Sequence, residues 1–199
     1  MTCVIGMIDN GNIYMGADSA GTNGRFQQRI RVDEKVFIKD EMIFGFTSSF
    51  RMGQLLRYQL NIPEHSQKKN LMTYMNTDFI EAVRKCLKDY GYASIDKNQD
   101  YGGTFLVGYK SNLFRIESDF QVGISKYPYE ACGCGEDFAL GCIYGITRNQ
   151  YKMENGILIK KDINLTPKQI IKIGLRASYK FSAGVKPPFK ILTLKGEKE

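Results

Sequence analysis

Residues 2–19 read Thr2-Cys3-Val4-Ile5-Gly6-Met7-Ile8-Asp9-Asn10-Gly11-Asn12-Ile13-Tyr14-Met15-Gly16-Ala17-Asp18-Ser19. Asn-Gly readily takes positive φ, so Asp9-Asn10-Gly11 predicts a tight turn joining two strands, Thr2–Ile8 and Asn12–Ala17. A hairpin returns the end of its second strand to the start of its first. With the turn centred on Asn10-Gly11, residue 18 or 19 is expected beside residue 2 or 3. One short stretch therefore brings a carboxylate, Asp18, next to a hydroxyl, Thr2.

Outward from this hairpin, the polar Ser19–Arg31 stretch predicts an exposed loop. A second hairpin, Lys35–Ile38 with Met42–Ser48, turns at Lys39-Asp40-Glu41. Apolar residues then recur at helical spacing from Ser49 to about Leu60, with Pro63 as the stop, and again from Leu71 to Tyr90. Strands are expected at Thr104–Tyr109, Leu113–Glu117 and Phe120–Ser125. The small, glycine-rich run Ala131–Gly135 leads into a helix from Glu136 to about Ile146. Thr166-Pro167 is a strong helix start, with Phe181 near the end, and Phe189–Leu194 reads as a final strand. The order is strands, two helices, strands, two helices, strand, which predicts helices packed outside sheets in one domain, 1–199.

At 199 residues, 43% hydrophobic and 25% charged, the chain is an ordinary globular protein with one core. No apolar run approaches a membrane span, and Thr2–Ile8 lacks a basic leader, so no membrane association and a cytoplasmic location are expected. Five cysteines form an odd set, read as buried thiols rather than a disulfide framework. Cys132, Cys134 and Cys142 lack a fourth ligand, since the single histidine, His65, stands in a polar loop; no metal site and no cofactor are expected. The net charge of +7 reads as scattered, with small clusters at Lys68-Lys69 and Lys160-Lys161 and no stripe interleaved with aromatics. No specific nucleic-acid site is predicted.

Thr2 directly follows Met1, and initiator methionine is generally removed before a small residue. A freed Thr2 would carry a hydroxyl nucleophile and an α-amine with a reference pKa near 8, able to serve as the base for its own hydroxyl. Lys35 opens the second hairpin as a cation that can neighbour Asp18 and favour deprotonation of the nucleophile. The plain alternative is a strand-end ion pair at the surface. Cys3 is a competing nucleophile if two residues are removed, although its side chain should face away from that of Thr2. Ser19 lies close as well, with no histidine to activate it.

Thr2-Cys3-Val4-Ile5-Gly6, Asp9-Asn10-Gly11 and Tyr14-Met15-Gly16-Ala17-Asp18-Ser19 together resemble the start of proteasome β subunits and of the bacterial HslV-type peptidase. Lys35 matches that family's catalytic lysine with one extra residue in the preceding loop. Gly45-Phe46-Thr47-Ser48-Ser49 resembles the turn that supplies an oxyanion N–H, here from Ser48. Gly133-Cys134-Gly135 resembles the family's Gly-Ser-Gly turn, and Ser182 matches a second supporting serine. The resemblance implies an α+β, four-layer αββα sandwich of two mainly antiparallel sheets between helix pairs. It also implies a threonine peptidase acting on peptides or unfolded protein, a homo-oligomeric ring and a separate ATPase partner, since no Walker-type loop is present here. Three departures stand out: Ser48 replaces a glycine, Cys134 a serine, and Tyr179 an aspartate. Two other readings share the fold: a small-molecule amidase or acylase, and a catalytically silent assembly subunit.

Overall fold

In the computed structural model the Asn10-Gly11 turn takes φ values of 47° and 74°, the left-handed pair that suits a two-residue hairpin. From it, strands β1 (Val4–Asp9) and β2 (Asn12–Ala17) run antiparallel, with Val4 opposite Ala17 and Asp9 opposite Asn12. The structure describes residues 1–23, 28–96, 99–148, 151–154, 157–160 and 165–196. Strand β1 starts two residues later than expected, because the Cys3 N–H goes to the Asp18 side chain rather than to a neighbouring strand.

The Ser19–Arg31 stretch is not simply a loop. It carries two short paired strands, β3 (Ala20–Thr22) and β4 (Gln28–Ile30), whose polar residues give no alternation to read; residues 24–27 lie outside the described ones. The second hairpin forms from β5 (Val36–Lys39) and β6 (Met42–Phe46). Helix α1 (Phe50–Tyr58) starts at Ser49, whose side chain accepts from the Arg51 N–H. It ends before Pro63, so the proline is not its stop. The long helix expected from Leu71 is α2 (Leu71–Tyr74), a π turn (Met75–Phe79) and α3 (Ile80–Asp89) in succession. The wider π turn brings both Phe79 and Ile80 to the buried side.

Strands β7 (Ser94–Asp96) and β8 (Gln99–Tyr101) form a small pair that the sequence reading did not include. After them come β9 (Phe105–Tyr109), β10 (Asn112–Ile116), β11 (Val122–Ile124) and β12 (Tyr129–Cys132). Helix α4 (Glu136–Arg148), the pair β13 (Tyr151–Glu154) and β14 (Ile157–Lys160), helix α5 (Pro167–Phe181) and β15 (Lys190–Leu194) complete the chain. Thr166 and Gln169 form a reciprocal capping box at the start of α5, with Pro167 at the first helical position.

Two sheets face each other, one ordered β12-β1-β2-β15 and the other β11-β10-β9-β6-β5. Val4, Met15, Ile43 and Leu106 fill the space between them. Helices α1 to α3 cover the five-stranded sheet, where Phe44, Leu55 and Phe79 are fully buried. Helices α4 and α5 cover the four-stranded sheet through Ile5, Ile143, Ile171 and Leu175. The architecture is the expected αββα sandwich. Strand β1 is apolar on both faces because it lies between a sheet and a helix layer, and it needs neighbours on both edges. Strand β12 supplies the second edge; its four residues sit against a glycine-rich turn that masks them in the sequence. No described helix is long and apolar enough to cross a membrane.

Candidate active site

Asp18 leaves the end of β2, and its side chain is fully buried. One carboxylate oxygen, Oδ1, accepts from the Cys3 N–H at 3.1 Å and from Lys35 Nζ at 2.8 Å. The other, Oδ2, accepts from the N–H groups of Ala20 at 2.8 Å and Lys186 at 3.1 Å. The hairpin register makes the first contact inevitable: continuing past Val4 opposite Ala17 sets Cys3 against Asp18, whose own N–H donates to the Cys3 carbonyl at 3.3 Å. The second contact comes from the other sheet, because Lys35 stands just before β5. The pair is therefore buried between layers and is not the surface ion pair that served as the plain alternative. Burial pulls Lys35 below the ordinary lysine pKa, and the adjoining Asp18 pulls it back up.

The turn between β12 and α4 holds Thr2 from the other side. Its carbonyl accepts from the Gly135 N–H at 3.2 Å. Gly133 sits at φ 100°, and a Cβ there would collide with the Thr2 carbonyl, so the close approach requires glycine. The Thr2 N–H donates to Cys134 Sγ at 3.2 Å, and Ser182 Oγ lies 3.4 Å from the same sulfur. Cys134 and Ser182 thus form a chain of polar atoms leading away from the Thr2 nitrogen. Cys3 points the opposite way, with its sulfur 3.3 Å from Ser178 Oγ on α5. Burial pushes the Cys3 thiol up to about 12, which leaves negligible thiolate at neutral pH. Ser19 Oγ is occupied as well, donating to the Pro188 carbonyl at 2.6 Å.

Thr2 opens onto a cleft of about 180 Å³ lined by Met1, Ala20, Thr22, Thr47, Ser48 and Phe50 among others. Ser48 has φ 61°, the left-handed region that favours glycine. Its side chain anchors it there, since Ser48 Oγ accepts from the Thr104 N–H at 3.1 Å. Gly103 makes the room: a Cβ on it would come within 2.9 Å of Ser48 Cβ. The glycine-to-serine departure is offset by a glycine on the facing loop. Among the described residues, no group accepts from the Ser48 N–H, which leaves a donor beside Thr2. Thr2 Oγ donates to the Met1 carbonyl at 2.6 Å.

No family model and no curated protein matches the sequence. Solved structures do match. BPH from Thiobacillus denitrificans in complex with epoxomicin superposes with a TM-score of 0.76 at 16% identity, over 99% of this chain and 100% of that one. HslV from Trypanosoma brucei gives 0.65 at 14% identity, over 98% and 99% of the two chains. Anbu, described as an ancestral beta-subunit, from Yersinia bercovieri gives 0.61 at 14% identity, over 98% and 82%. The chain has the proteasome-like N-terminal-nucleophile fold. At such identities the likeness is one of fold, and the chemistry has to be argued from this chain's own residues.

Within that fold, the structure brings Thr2, Asp18, Lys35, Ser48, Cys134 and Ser182 around one segment of backbone. Tyr179, where the resemblance implies an aspartate, is exposed on α5, with the Lys186 ammonium 5.4 Å from its ring centre. The residue before it takes up a bracing position instead. Ser178 is fully buried, and its hydroxyl contacts the carbonyls of Gly135 at 2.7 Å and Gly174 at 3.1 Å. Sequence reasoning missed Ser178, Gly103 and Thr104, since none lies in a readable motif. It also read all the cysteines as buried, whereas Cys134 is exposed and Cys142 partly so. In native protein, iodoacetamide at neutral pH is expected to modify Cys134 first and to leave Cys3 and Cys132 untouched until unfolding. Peptide mass mapping before and after denaturation checks this, and native labelling of Cys3 would contradict its placement.

His65 is accounted for structurally. Its ring stacks on Tyr74 at 4.2 Å, and its two nitrogens contact the Tyr109 hydroxyl at 3.2 Å and the Lys69 carbonyl at 2.8 Å. Among the described residues no group of three or more His, Cys, Asp or Glu could hold a metal ion.

Proposed function

We propose that the chain is a threonine-type peptidase whose nucleophile is Thr2, made competent by removal of Met1. The observation that carries this reading is the buried Lys35–Asp18 pair: it shares a carboxylate oxygen with the Cys3 N–H, one peptide unit from Thr2. A cation placed there lowers the cost of negative charge developing on Thr2 Oγ. Removal of Met1 turns the Thr2 nitrogen from an amide into an amine, the base the scheme needs.

In this scheme Thr2 Oγ attacks the substrate carbonyl, and its proton passes to the Thr2 amine through a water. The Ser48 N–H accommodates the oxyanion. The amine then returns a proton to the leaving nitrogen as the C–N bond breaks, which leaves an ester on Thr2. A second water hydrolyses that ester and restores the hydroxyl. Cys134 and Ser182 orient the amine, a thiol being the weaker partner. The substrate class is peptide or unfolded protein. Assembly into a homo-oligomeric ring, with a separate ATPase supplying the substrate, belongs to the same proposal.

A second reading, a silent assembly subunit, has one specific observation in its favour. Tyr179 stands where the resemblance implies an aspartate, and it is exposed on α5 with the Lys186 ammonium 5.4 Å from its ring centre. The deciding experiment treats the purified protein with epoxomicin, the compound held by BPH, and follows intact mass and peptide maps. The peptidase reading expects loss of Met1 and an adduct confined to Thr2, prevented by prior acetylation of the amine. Retention of Met1 in mature protein with no adduct would leave the silent subunit as the better account.

A further inference from the structure

The net charge of this protein is not scattered, contrary to the expectation from its sequence. Of its 28 basic and 21 acidic residues, seven basic and no acidic ones fall between positions 165 and 196; the remaining 21 of each cancel. The whole +7 therefore belongs to α5, the turn after it, β15 and Lys195 directly beyond that strand. Lys168, Lys172, Arg176 and Lys180 are all exposed on α5, whose opposite face buries Ile171 and Leu175. A spacing of four residues sets successive cations about 6 Å apart along one side of the helix. Like charges at that spacing repel, and no acidic residue stands in the first turn of α5 to relieve them. Among the described residues none of these four has a carboxylate partner, whereas Lys190 pairs with Glu34 at 2.7 Å.

Between α5 and β15 runs a groove of about 640 Å³, lined by Lys172, Arg176, Tyr179, Pro187, Phe189 and Lys190 among others. Strand β15 ends its sheet, and among the described residues no strand pairs with its outer edge. An unpaired edge is a template for another extended chain.

We infer that the α5–β15 groove docks an extended, acidic segment of a partner polypeptide. An extended chain presents same-side side chains about 6.8 Å apart, close to the repeat of the cations on α5. Its backbone can pair with the strand edge while alternate carboxylates reach Lys172 and Arg176. A single-stranded nucleic acid fits less well, because base stacking needs open aromatic faces. Tyr179 lies under the Lys186 ammonium, and Phe189 is packed against the core beneath the four-stranded sheet. The inference does not depend on catalysis at Thr2.

The test is fluorescence anisotropy of a labelled peptide of alternating Glu and Val, titrated with the full-length protein at low and at physiological salt. Binding that weakens with salt is expected. The double variant Lys172→Glu with Arg176→Glu should weaken it by at least about tenfold. A control pair, Lys68→Glu in the turn before α2 with Lys88→Glu on α3, changes the net charge equally away from the groove and should cost less than about twofold. Matched circular dichroism and melting of the variants separate a lost site from a lost fold. Equal losses in both pairs would reduce the effect to net charge and overturn the site. Absence of peptide binding would overturn it as well, as would tighter binding of oligothymidylate that displaces the peptide, pointing to a nucleic acid.

Discussion

Replacing Thr2 by alanine in protein that has lost Met1 is expected to lower hydrolysis of fluorogenic peptides by about a thousandfold or more. The variant removes the attacking oxygen and little else. The backbone around it is held independently, by the Gly135 N–H on the Thr2 carbonyl and by Cys134 on the Thr2 nitrogen, so the fold should persist. Thr2→Ser keeps an oxygen at the same place and should keep most of the rate, which separates lost chemistry from lost structure. Turnover by Thr2→Ala equal to that of the parent protein would refute the scheme, whatever the pH. Absence of turnover in both, with Met1 gone and no epoxomicin adduct, would favour the silent subunit.

Asp18→Ala is expected to cost about 3–5 kcal/mol of stability, measured by urea unfolding, because it leaves the Lys35 ammonium buried without a counter-charge. It also orphans three backbone donors, the N–H groups of Cys3, Ala20 and Lys186, which come from separate parts of the chain. Lys35→Met should be milder, about 1–3 kcal/mol, since those three donors still satisfy the carboxylate. The sign of the pH dependence follows from the lysine. Burial lowers its folded-state pKa beneath the unfolded value of 10.5, so at intermediate pH the unfolded chain holds the extra proton. Stability contributed by this site therefore rises as pH climbs from the folded pKa toward 10.5, and more steeply in Asp18→Ala, where nothing holds the proton on. A larger loss in Lys35→Met than in Asp18→Ala would reverse the assignment of Asp18 as the pivot. Activity provides a second readout, because Lys35→Met should fold and yet lose turnover.

Much of this arrangement is local in origin, and local features are legible. The Asn10-Gly11 turn needs positive φ, which those two residues accept, and strand pairing from it fixes the distance back to Asp18 without reference to any other element. The capped start of α5 at Thr166-Pro167 is readable for the same reason: its hydrogen bonds close within four residues. Paired helices between groups of strands implied layers, because an apolar face has to be covered. By itself, then, the sequence determined the first hairpin, the return of Asp18 to Cys3 one residue on from Thr2, the principal helices and the layered class. Where the chain gave no local pattern, as in Ala20–Ile30 or Tyr129–Cys132, short strands went unread; their stability comes from partners and neighbours elsewhere in the chain.

Only the tertiary structure decided the rest. Lys35 reaches Asp18 because two sheets pack face to face, and nothing within either hairpin dictates that contact. Ser48 keeps a glycine-like conformation because Gly103 and Thr104, on the far side of α1 to α3 in sequence, leave space and a donor for its side chain. Ser178, rather than Tyr179, supports the Gly135 turn because the rotation of α5 points it inward. The same rotation gathers cations four residues apart onto one exposed side, next to a strand edge that a linear reading keeps ten residues away. Each of these depends on contacts between residues distant in sequence, whose geometry is set by packing of the assembled layers and not by the conformational preferences of any single segment.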